Sequence, residues 1–505
     1  METLLETLRR GRPVAGAKPQ PRLVVDPAAF LRIAREIGKG EGDLVSLWSD
    51  RTDVHMALTV RGRPEISVVS LACPDGHFPS VGRMHPPALR LERAIRDLYG
   101  LVPENGPDQR GWLDHGRWGL TQPCAAQQGG PSATTGYEFL PAEGDNLHQI
   151  PVGPVHAGII EPGHFRFTAN GEIVVRLEER LGYVHKGIGK LFEGADLAKA
   201  ARLAGRISGD STVAYALAFA QAVETALGVT VPPRAVYLRA LMAELERIAN
   251  HLGDIGAICN DTAFALMLAH CSALREEALR TAAACFGHRL MMDRIIPGGV
   301  DRDLTADGIA AIESFLNLVE ARFPHLVDVY DNTTSLQDRT VQTGFLAADL
   351  ARQYACGGFI GRASGRDVDA RRDFTYAPYG DLSFEVPRRE AGDVDARVWI
   401  RIEEVRQSLS LIVQILAGLP AGEIRAPAIE APGESREGYA VVEGFRGDIF
   451  AWVRLDGMAR IAHCHLRDPS WFQWPLLEAA IEGNIVADFP LCNKSFNCSY
   501  SGHDL

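Results

Sequence analysis

The first part of the chain alternates short apolar runs with turn residues. Three runs follow one another, VSLWSD, HMALTV and EISVVSLAC, and each has the length and composition of a β-strand. The next segment, LRLERAIRDLYGL, repeats its apolar residues at helical spacing and predicts an amphipathic helix. Together they predict a small α+β domain over residues 23–122. Residues 1–22 are basic and contain prolines, which predicts a loose arm.

The pattern changes in the second part of the chain. Two strand-like pieces, HFRFTAN and EIVVRLEE, are joined by Asn170-Gly171, a strong signal for a β-hairpin. Segments with apolar residues at helical spacing follow at 196–228, 234–259, 263–290, 307–328 and 396–418. They predict a mainly helical domain over residues 149–505 that opens with this small hairpin. Residues 123–148, rich in Gly, Pro, Ala, Gln, Ser and Thr, predict a linker. The predicted fold class is therefore α+β.

The amino-acid composition argues against some classes of function. The chain has 505 residues, 46% of them hydrophobic, and a formal net charge of −12. An acidic chain argues against nucleic-acid binding, which needs a basic surface. The nine cysteines are scattered, and no CxxC pair occurs, so we expect free thiols rather than a disulfide framework. Since no run of about 18 uncharged apolar residues appears, we expect any membrane contact to come through partners.

Polar residues gather at the start of the second domain. His156, Glu161 and His164 lie near the predicted hairpin, where two imidazoles and a carboxylate suit proton transfer. Taken alone, these residues are more often solvated or structurally bonded in a turn. Ser208 and Ser211 flank Asp210 before a predicted helix, where such residues usually serve as N-caps.

The segment ELERIANHLGDIGAICND carries charges at helical spacing, at Glu244, Arg247, His251 and Asp254. We expect pairs between Glu244 and Arg247 and between Glu246 and Asn250. A buried polar helix face indicates either a bonded network or a functional site. The triplet His463-Cys464-His465 does not predict a metal site, because alternate strand residues face opposite ways.

Read together, these segments resemble one superfamily. It comprises the large subunits of nickel–iron hydrogenases and the 49-kDa-type subunit of respiratory complex I, and the greatest similarity is to group-four, formate hydrogenlyase-type members. The first domain resembles the complex I 30-kDa-type subunit through PPALRLERAIRDLYGLVPENGPDQR. The second domain carries the resemblance in GPVHAGIIEPGHFRF, LGYVHKGIGKLFEG, AVETALGV, ELERIANHLGDIGAICND, GRASGRDVDARRD, GDVDARVWIRIEEVRQSL, VEGFRGD and GNIVADFP.

The chain departs from the hydrogenases at the metal ligands. There, two CxxC pairs hold nickel and iron, and the matching positions here are Ser208 with Ser211 and Cys498 with Ser501. A serine hydroxyl is hard and stays protonated near neutral pH, whereas nickel in this setting is held by soft thiolates. The resemblance therefore implies a chain without a nickel–iron centre or any other metal ligand set.

Complex I lost the same cysteines and binds quinone in the vacated cavity. The resemblance implies that Asp261 matches an aspartate of that quinone site, while the histidine and tyrosine positions are only approximated by His156, His164 and Tyr215. Glu161 matches the glutamate that hydrogenases use for proton transfer.

These matches give a set of expected site residues. Glu161, His164, Asp210 and Asp261 are the expected catalytic groups, and His156, Ser208, Ser211, Tyr215 and Cys498 the expected binding groups.

The leading hypothesis is an electron- and proton-handling subunit of a membrane-associated complex I-like oxidoreductase. It binds no firm cofactor of its own, and quinone is the acceptor that the resemblance suggests. The expected partners are an iron–sulfur small subunit of complex I type, which carries the cluster, a ferredoxin-like iron–sulfur subunit and ion-translocating membrane subunits. The expected location is peripheral, on the cytoplasmic side of the cell membrane. The alternatives are a redox-inert coupling subunit and a hydrogenase with an atypical metal site.

Overall fold

The computed structural model describes residues 3–126, 129–130, 136–156 and 160–505. The first part of the chain forms a five-stranded sheet covered by helices. Its elements are α1 (Leu4–Arg9), β1 (Arg12–Val14), β2 (Ala17–Lys18), β3 (Arg22–Val24), α2 (Pro27–Gly38), β4 (Leu44–Ser49), β5 (Asp53–Thr59), β6 (Ile66–Ala72), β7 (His77–Pro79), α3 (Leu89–Tyr99) and β8 (Val102–Glu104).

The three predicted strands are confirmed as β4, β5 and β6, which pair as antiparallel neighbours in a sheet of order β1-β3-β6-β5-β4. The predicted amphipathic helix is confirmed as α3, and it ends at Gly100, whose φ of 76° suits glycine. The mixed α+β class predicted for this region is confirmed.

The prediction of a loose arm is wrong for residues 3–22. Thr3 and Glu6 form a capping box at α1, and Leu4 and Leu8 are 3% exposed. β1 pairs with β3, and β2 joins a sheet of the second domain. Basic and proline-rich composition did not reveal these contacts, because strands of two or three residues leave almost no periodic signal.

The second part of the chain contains most of the helices. Its elements are β9 (Leu147–Val152), β10 (His164–Asn170), β11 (Ile173–Arg180), α4 (Ile188–Phe192), α5 (Leu197–Ala204), α6 (Thr212–Leu227), α7 (Pro233–Asp261), α8 (Ala265–Phe286), β12 (Ile295–Ile296), β13 (Gly299–Val300), α9 (Ala306–Asn332), α10 (Thr334–Thr340), α11 (Ala348–Gln353), α12 (Gly358–Ala363), α13 (Ala370–Asp373), α14 (Val394–Gly418), β14 (Arg436–Gly444), β15 (Gly447–Leu455), β16 (Ile461–Arg467), α15 (Ser470–Ala480), α16 (Phe489–Phe496) and α17 (Tyr500–His503).

The predicted hairpin is confirmed as β10 and β11, and β9 adds a third strand that the sequence pattern did not indicate. α7 packs along α8 and α14, and the largest apolar core lies among the long helices. The segment 196–228 is not one helix. It breaks into α5 and α6, and the turn between them, Gly205–Ser211, carries candidate site residues.

The two domains share an extensive interface. β2 extends the sheet β16-β15-β14 of the second domain. Apolar residues of the first sheet, among them Trp48, pack against Phe450 and Trp452 of β15. Arg22 forms a bidentate pair with Glu437 of β14, with N–O distances of 2.7 and 2.9 Å, and both side chains are less than 10% exposed. Among the described residues, no helix is both long and apolar enough to cross a bilayer.

Part of the predicted linker is bonded to the second domain. The Leu140 amide donates to Glu178 of β11 at 2.8 Å. The guanidinium carbons of Arg110 and Arg180 lie 4.9 and 4.5 Å from the centroid of the Tyr137 ring. Residues 127, 128 and 131–135 of that linker lie outside the described residues.

Candidate functional site

The turn between α5 and α6 presents two serines and an aspartate. The start of α6 is capped from elsewhere, since the carboxylate of Glu246 accepts hydrogen bonds from the amides of Val213 at 2.7 Å and Ala214 at 3.1 Å. Ser211 stands at the N-cap position but makes no capping bond. The N-cap interpretation of these serines is therefore wrong, and Ser208 and Ser211 both donate instead to Asp210, at 2.7 and 3.2 Å.

Arg446 completes this cluster from the turn between β14 and β15. The turn approaches the backbone of α12 closely, because a Cβ on Gly447 would lie 2.9 Å from the Gly358 nitrogen, and Gly447 has a φ of 135°. Arg446 donates to both oxygens of Asp210, at 2.9 and 2.6 Å, and to Ser211 at 3.1 Å. This bidentate geometry is the strong form of an ion pair.

The Asp210–Arg446 pair has one buried and one accessible member. The Asp210 side chain is 36% exposed and the Arg446 side chain 5%. Although the carboxyl is partly buried, the charge of Arg446 and the bonds from Ser208 and Ser211 lower the pKa of Asp210 to about 2. The site thus holds a fixed carboxylate and a fixed guanidinium at neutral pH.

The C-terminal segment brings further groups to the same place. Ser499 lies 3.0 Å from Ser208, hydroxyl to hydroxyl. The Asn497 carbonyl accepts from Arg446 Nε at 2.5 Å, and its side-chain amide donates to both oxygens of Asp254 at 2.9 and 3.1 Å. Asp254 is also paired with the fully buried Arg401 at 3.1 Å. Asp254 of α7 is therefore linked to the cluster, through Asn497.

Two predicted binding residues lie nearby but are deeply buried. Cys498 is 5% exposed, and its burial, together with the negative charge of Glu179, raises the pKa of its thiol well above the usual value. Tyr215 is fully buried and donates its hydroxyl to Asp468, so that it faces away from solvent. Both side chains therefore lie in the interior next to the site and not on its accessible side.

The hairpin loop places the predicted histidines and glutamate differently. Glu161 is exposed and accepts the Ser501 amide at 3.2 Å, which puts it beside the C-terminal segment. His156 lies 6.4 Å from the Tyr500 ring, between centroids, and its Nε2 is buried without a partner among the described residues. His164 bonds the Gly153 carbonyl at 3.2 Å, receives a bond from Arg166 and packs on Phe139, with no contact to the Asp210 cluster.

Asp261 is not brought to the cluster. It lies at the last residue of α7, where Lys494 and Asn260 are its charged and polar neighbours, and burial raises its pKa. Asp254, two helical turns earlier, holds the position next to Asn497 instead.

The other charged residues of α7 form a bonded network. Glu244 pairs with Arg247 at 3.4 Å, as predicted, and also with Arg371 at 3.0 Å. The expected Glu246–Asn250 pair forms only through the backbone, since Asn250 donates to the Glu246 carbonyl at 2.9 Å and to the Asp210 carbonyl at 2.8 Å. The predicted alternation in β16 is also confirmed, because His465 stacks on Trp48 at 4.8 Å while Cys464 lies in the helical core.

Sequence reasoning missed Arg446, Arg401 and Asn497. Arg446 lies in VEGFRGD, one of the segments that resemble the superfamily, but the sequence did not mark this arginine as a site residue.

The donor atoms present do not fit a thiolate-held nickel–iron centre. The four positions that match the metal-ligating cysteines of the hydrogenases hold the hydroxyls of Ser208, Ser211 and Ser501 and the single thiol of Cys498. Such a centre needs four soft sulfur ligands, and three of these positions offer hard hydroxyl oxygens instead. Within the described ranges, no group of three or more His, Cys, Asp and Glu side chains is arranged to hold a metal ion.

Comparisons with known families cover most of the chain. The 49 Kd subunit of respiratory-chain NADH dehydrogenase matches residues 254–436 and 428–504, and the nickel-dependent hydrogenase family matches residues 186–253. The 30 Kd subunit of respiratory-chain NADH dehydrogenase matches residues 31–127.

Curated relatives agree with these family matches. The chain is 33% identical over 439 residues to formate hydrogenlyase subunit 5 of Escherichia coli, covering 85% of this chain and 77% of the relative. It is 31% identical to the carbon monoxide-induced hydrogenase of Rhodospirillum rubrum, covering 70% and 98% of the two chains. It is also 31% identical to an NADH-quinone oxidoreductase subunit of Dehalococcoides mccartyi, covering 67% and 92%.

A solved structure shows the same fold. A chain of the membrane-bound sulfane sulfur reductase, an archaeal respiratory membrane complex, superposes with a TM-score of 0.67 at 26% identity, covering 71% of this chain and 99% of that one. The fold and the site thus define a large subunit of the oxidoreductase class. The chain belongs to the superfamily of hydrogenase large subunits and complex I 49-kDa-type subunits, and its fused 30-kDa-type domain matches the formate hydrogenlyase type.

Proposed function

We propose that this chain is the subunit of a membrane-associated, complex I-like oxidoreductase that handles electrons and protons beside an iron–sulfur partner subunit. Its acceptor is a quinone, and it works without a nickel–iron centre. The observation that carries the proposal is the Asp210–Arg446 pair in a cluster of serine hydroxyls, at the positions where the related hydrogenases hold metal-ligating cysteines.

The chemistry of the cluster suits a neutral acceptor that becomes negative on reduction. The Arg446 guanidinium is held in place by Asp210, and a positive charge that is already oriented stabilises negative charge as it develops on an oxygen. Glu161, exposed beside Ser501, is placed to exchange protons with solvent.

The accessible side of the cluster supports a partner there. The Asp210 side chain is 36% exposed, and Gly209 and Glu161 are exposed. On the hairpin loop, Val155 is 90% exposed and Ile160 38%. Apolar residues beside a charged cluster suit a surface that an iron–sulfur subunit covers, and such a subunit would deliver electrons from its own cluster. The relatives that are named as NADH-quinone oxidoreductase subunits support the quinone as acceptor.

The test is electron transfer in the complex reconstituted with its iron–sulfur partner. Arg446→Lys keeps a positive charge but loses the bidentate fork, so quinone reduction should fall about 100-fold. Arg206→Lys is the matched control, because Arg206 pairs with Asp293 at the surface, where its side chain is 41% exposed. Unchanged quinone reduction in Arg446→Lys would contradict the proposal.

One observation favours a redox-inert coupling subunit as the second candidate. Asp210, Ser208, Ser211 and Arg446 satisfy one another's hydrogen bonds, so the cluster is stable without a bound molecule. On that account the wild-type complex reduces no quinone at this site, and a photoreactive quinone does not label the Ser208–Ser211 turn.

A further inference from the structure

A cavity lies between the two domains, away from the Asp210 cluster. Its volume is about 700 Å³, enough for a group of water molecules. The first domain lines it with Asp43, Val60 and His85, and the second domain with Asp369 and Glu443.

His85 gives this cavity a buried polar wall. The side chain is 3% exposed, and neither ring nitrogen has a hydrogen-bond partner among the described residues. A buried ring nitrogen that has no hydrogen-bond partner destabilises the folded state. Because Asp43, Asp369 and Glu443 line the same cavity, water is the partner that the ring requires.

The opposite wall belongs to a buried ionic cluster. Glu443 accepts from Arg362 at 2.9 Å and from the Ala370 amide at 2.9 Å. Arg362 also donates to Glu404 at 2.9 and 2.6 Å, and Glu404 pairs with His251 at 2.7 Å. A continuous chain of short contacts therefore runs from the cavity wall into the interior of α7 and α14.

Since burial lowers the pKa of His251, this histidine is neutral and the charges of the cluster do not balance. Its buried members are the carboxyls of Glu244, Asp369, Glu404 and Glu443 and the guanidiniums of Arg247, Arg362 and Arg371, with His251. The groups that face Glu443 are Arg362 of α12, Arg247 of α7, Asp369 and Arg371 at α13, Asp448 of β15 and the hydroxyl of Tyr376. Four carboxylates against three guanidiniums leave one negative charge uncompensated, and a buried uncompensated charge is costly.

The excess charge is relieved most easily at Glu443. Burial and the charge of Asp369 raise the pKa of Glu443 to about 7. Despite its own burial, Asp369 has its pKa lowered to about 2 by Arg371 and Arg362. Arg362 and His251 likewise lower the pKa of Glu404.

We propose that the inter-domain cavity is a proton inlet and that Glu443 is the group that takes up the proton there. The step moves one proton from cavity water to the Glu443 carboxylate and changes no other bond. His251 lies one helical turn from Asp254, which Asn497 links to Arg446. Negative charge arriving at the Arg446 site therefore favours proton uptake by the cluster. This coupling rests on the proposed function, whereas the uptake of a proton at Glu443 does not.

The first test is infrared difference spectroscopy of the purified complex between about pH 6 and pH 8. We expect a protonated-carboxyl band that is lost with a midpoint near 7 and is missing in Glu443→Gln. The exposed Glu385 provides the matched control, and Glu385→Gln should keep the band. A band that persists in Glu443→Gln, or no titrating band in the wild type, would overturn the proposal.

The second test leaves Glu443 intact. Val60→Trp places an indole in the cavity wall and should slow protonation after a pH jump about tenfold without moving the midpoint. Val413→Trp, at a position that is 51% exposed on α14, should leave the rate unchanged. An unchanged rate in Val60→Trp would show that the cavity is not the inlet. Both tests read protonation directly, so a failure of quinone reduction would refute the proposed function and leave this result standing.

Discussion

Replacing Arg362 by methionine removes the cation that joins two buried carboxylates. Arg362 is fully buried and donates to Glu404 at 2.6 and 2.9 Å and to Glu443 at 2.9 Å. Methionine fills much of the same space but leaves the carboxylates of Glu404 and Glu443 without the cation between them. Since breaking a buried ion pair costs about 3–5 kcal/mol, we expect the free energy of unfolding to fall by about that amount.

The loss of unfolding free energy is also expected to depend on pH. Without Arg362, the cluster holds four carboxyls and two guanidiniums, so the folded state keeps protons that the unfolded chain releases above its ordinary carboxyl pKa of 4.5. A raised folded-state pKa means that stability falls as pH rises through the range between the two pKa values. The slope is about 1.4 kcal/mol per pH unit for each retained proton, so the variant should lose more stability at pH 8 than at pH 6.

The assay is urea unfolding followed by far-UV circular dichroism at both pH values. Arg372→Met is the matched control, because the Arg372 side chain is 41% exposed and pairs with Asp367 and Asp373 near the surface. We expect it to cost less than about 1 kcal/mol. Adding Glu404→Gln to Arg362→Met should restore part of the loss by removing one unpaired carboxylate. A loss that is small, or equal at the two pH values, would refute the reasoning about uncompensated charge.

Three further predictions follow from the same contacts. Leu8→Ala should cost about 2–5 kcal/mol in unfolding free energy, because Leu8 of α1 is 3% exposed, and a negligible change in a thermal melt would restore the interpretation of a loose arm. Glu161→Gln should slow proton-coupled turnover of the reconstituted complex while leaving quinone labelling intact, since Glu161 is exposed beside Ser501, and an unchanged rate would exclude it from proton transfer. Tyr215→Phe should cost about 1–3 kcal/mol by depriving buried Asp468 of a donor, and calorimetry giving no shift would show that this bond contributes nothing.

The sequence predicted the elements in which apolar residues recur at a regular spacing. The long helices α7, α8, α9 and α14 and the hairpin at Asn170-Gly171 repeat their apolar residues over enough positions to be recognised. The strands β1 and β2 were missed, because three and two residues are too few to show an alternating pattern, and β2 pairs with β14 far along the chain. β9 was missed because its sequence, LHQIPV, is interrupted by polar residues and a proline.

The site was predicted in part for a related reason. Ser208, Asp210 and Ser211 lie together in one turn, so their grouping was visible in the sequence. Arg446 and Asn497 come from turns more than 230 residues away from Asp210, and only the fold brings them there. Asp261 was expected in the site from the resemblance, yet the register of α7 gives that place to Asp254.

The measurement that tests the central claim most directly is the nickel and iron content of the chain purified with its iron–sulfur partner. The account predicts iron from the partner's cluster and no stoichiometric nickel, because Ser208, Ser211 and Ser501 replace three of the four thiolates. Stoichiometric nickel would contradict it and would mean that this chain holds a metal centre through a different set of ligands.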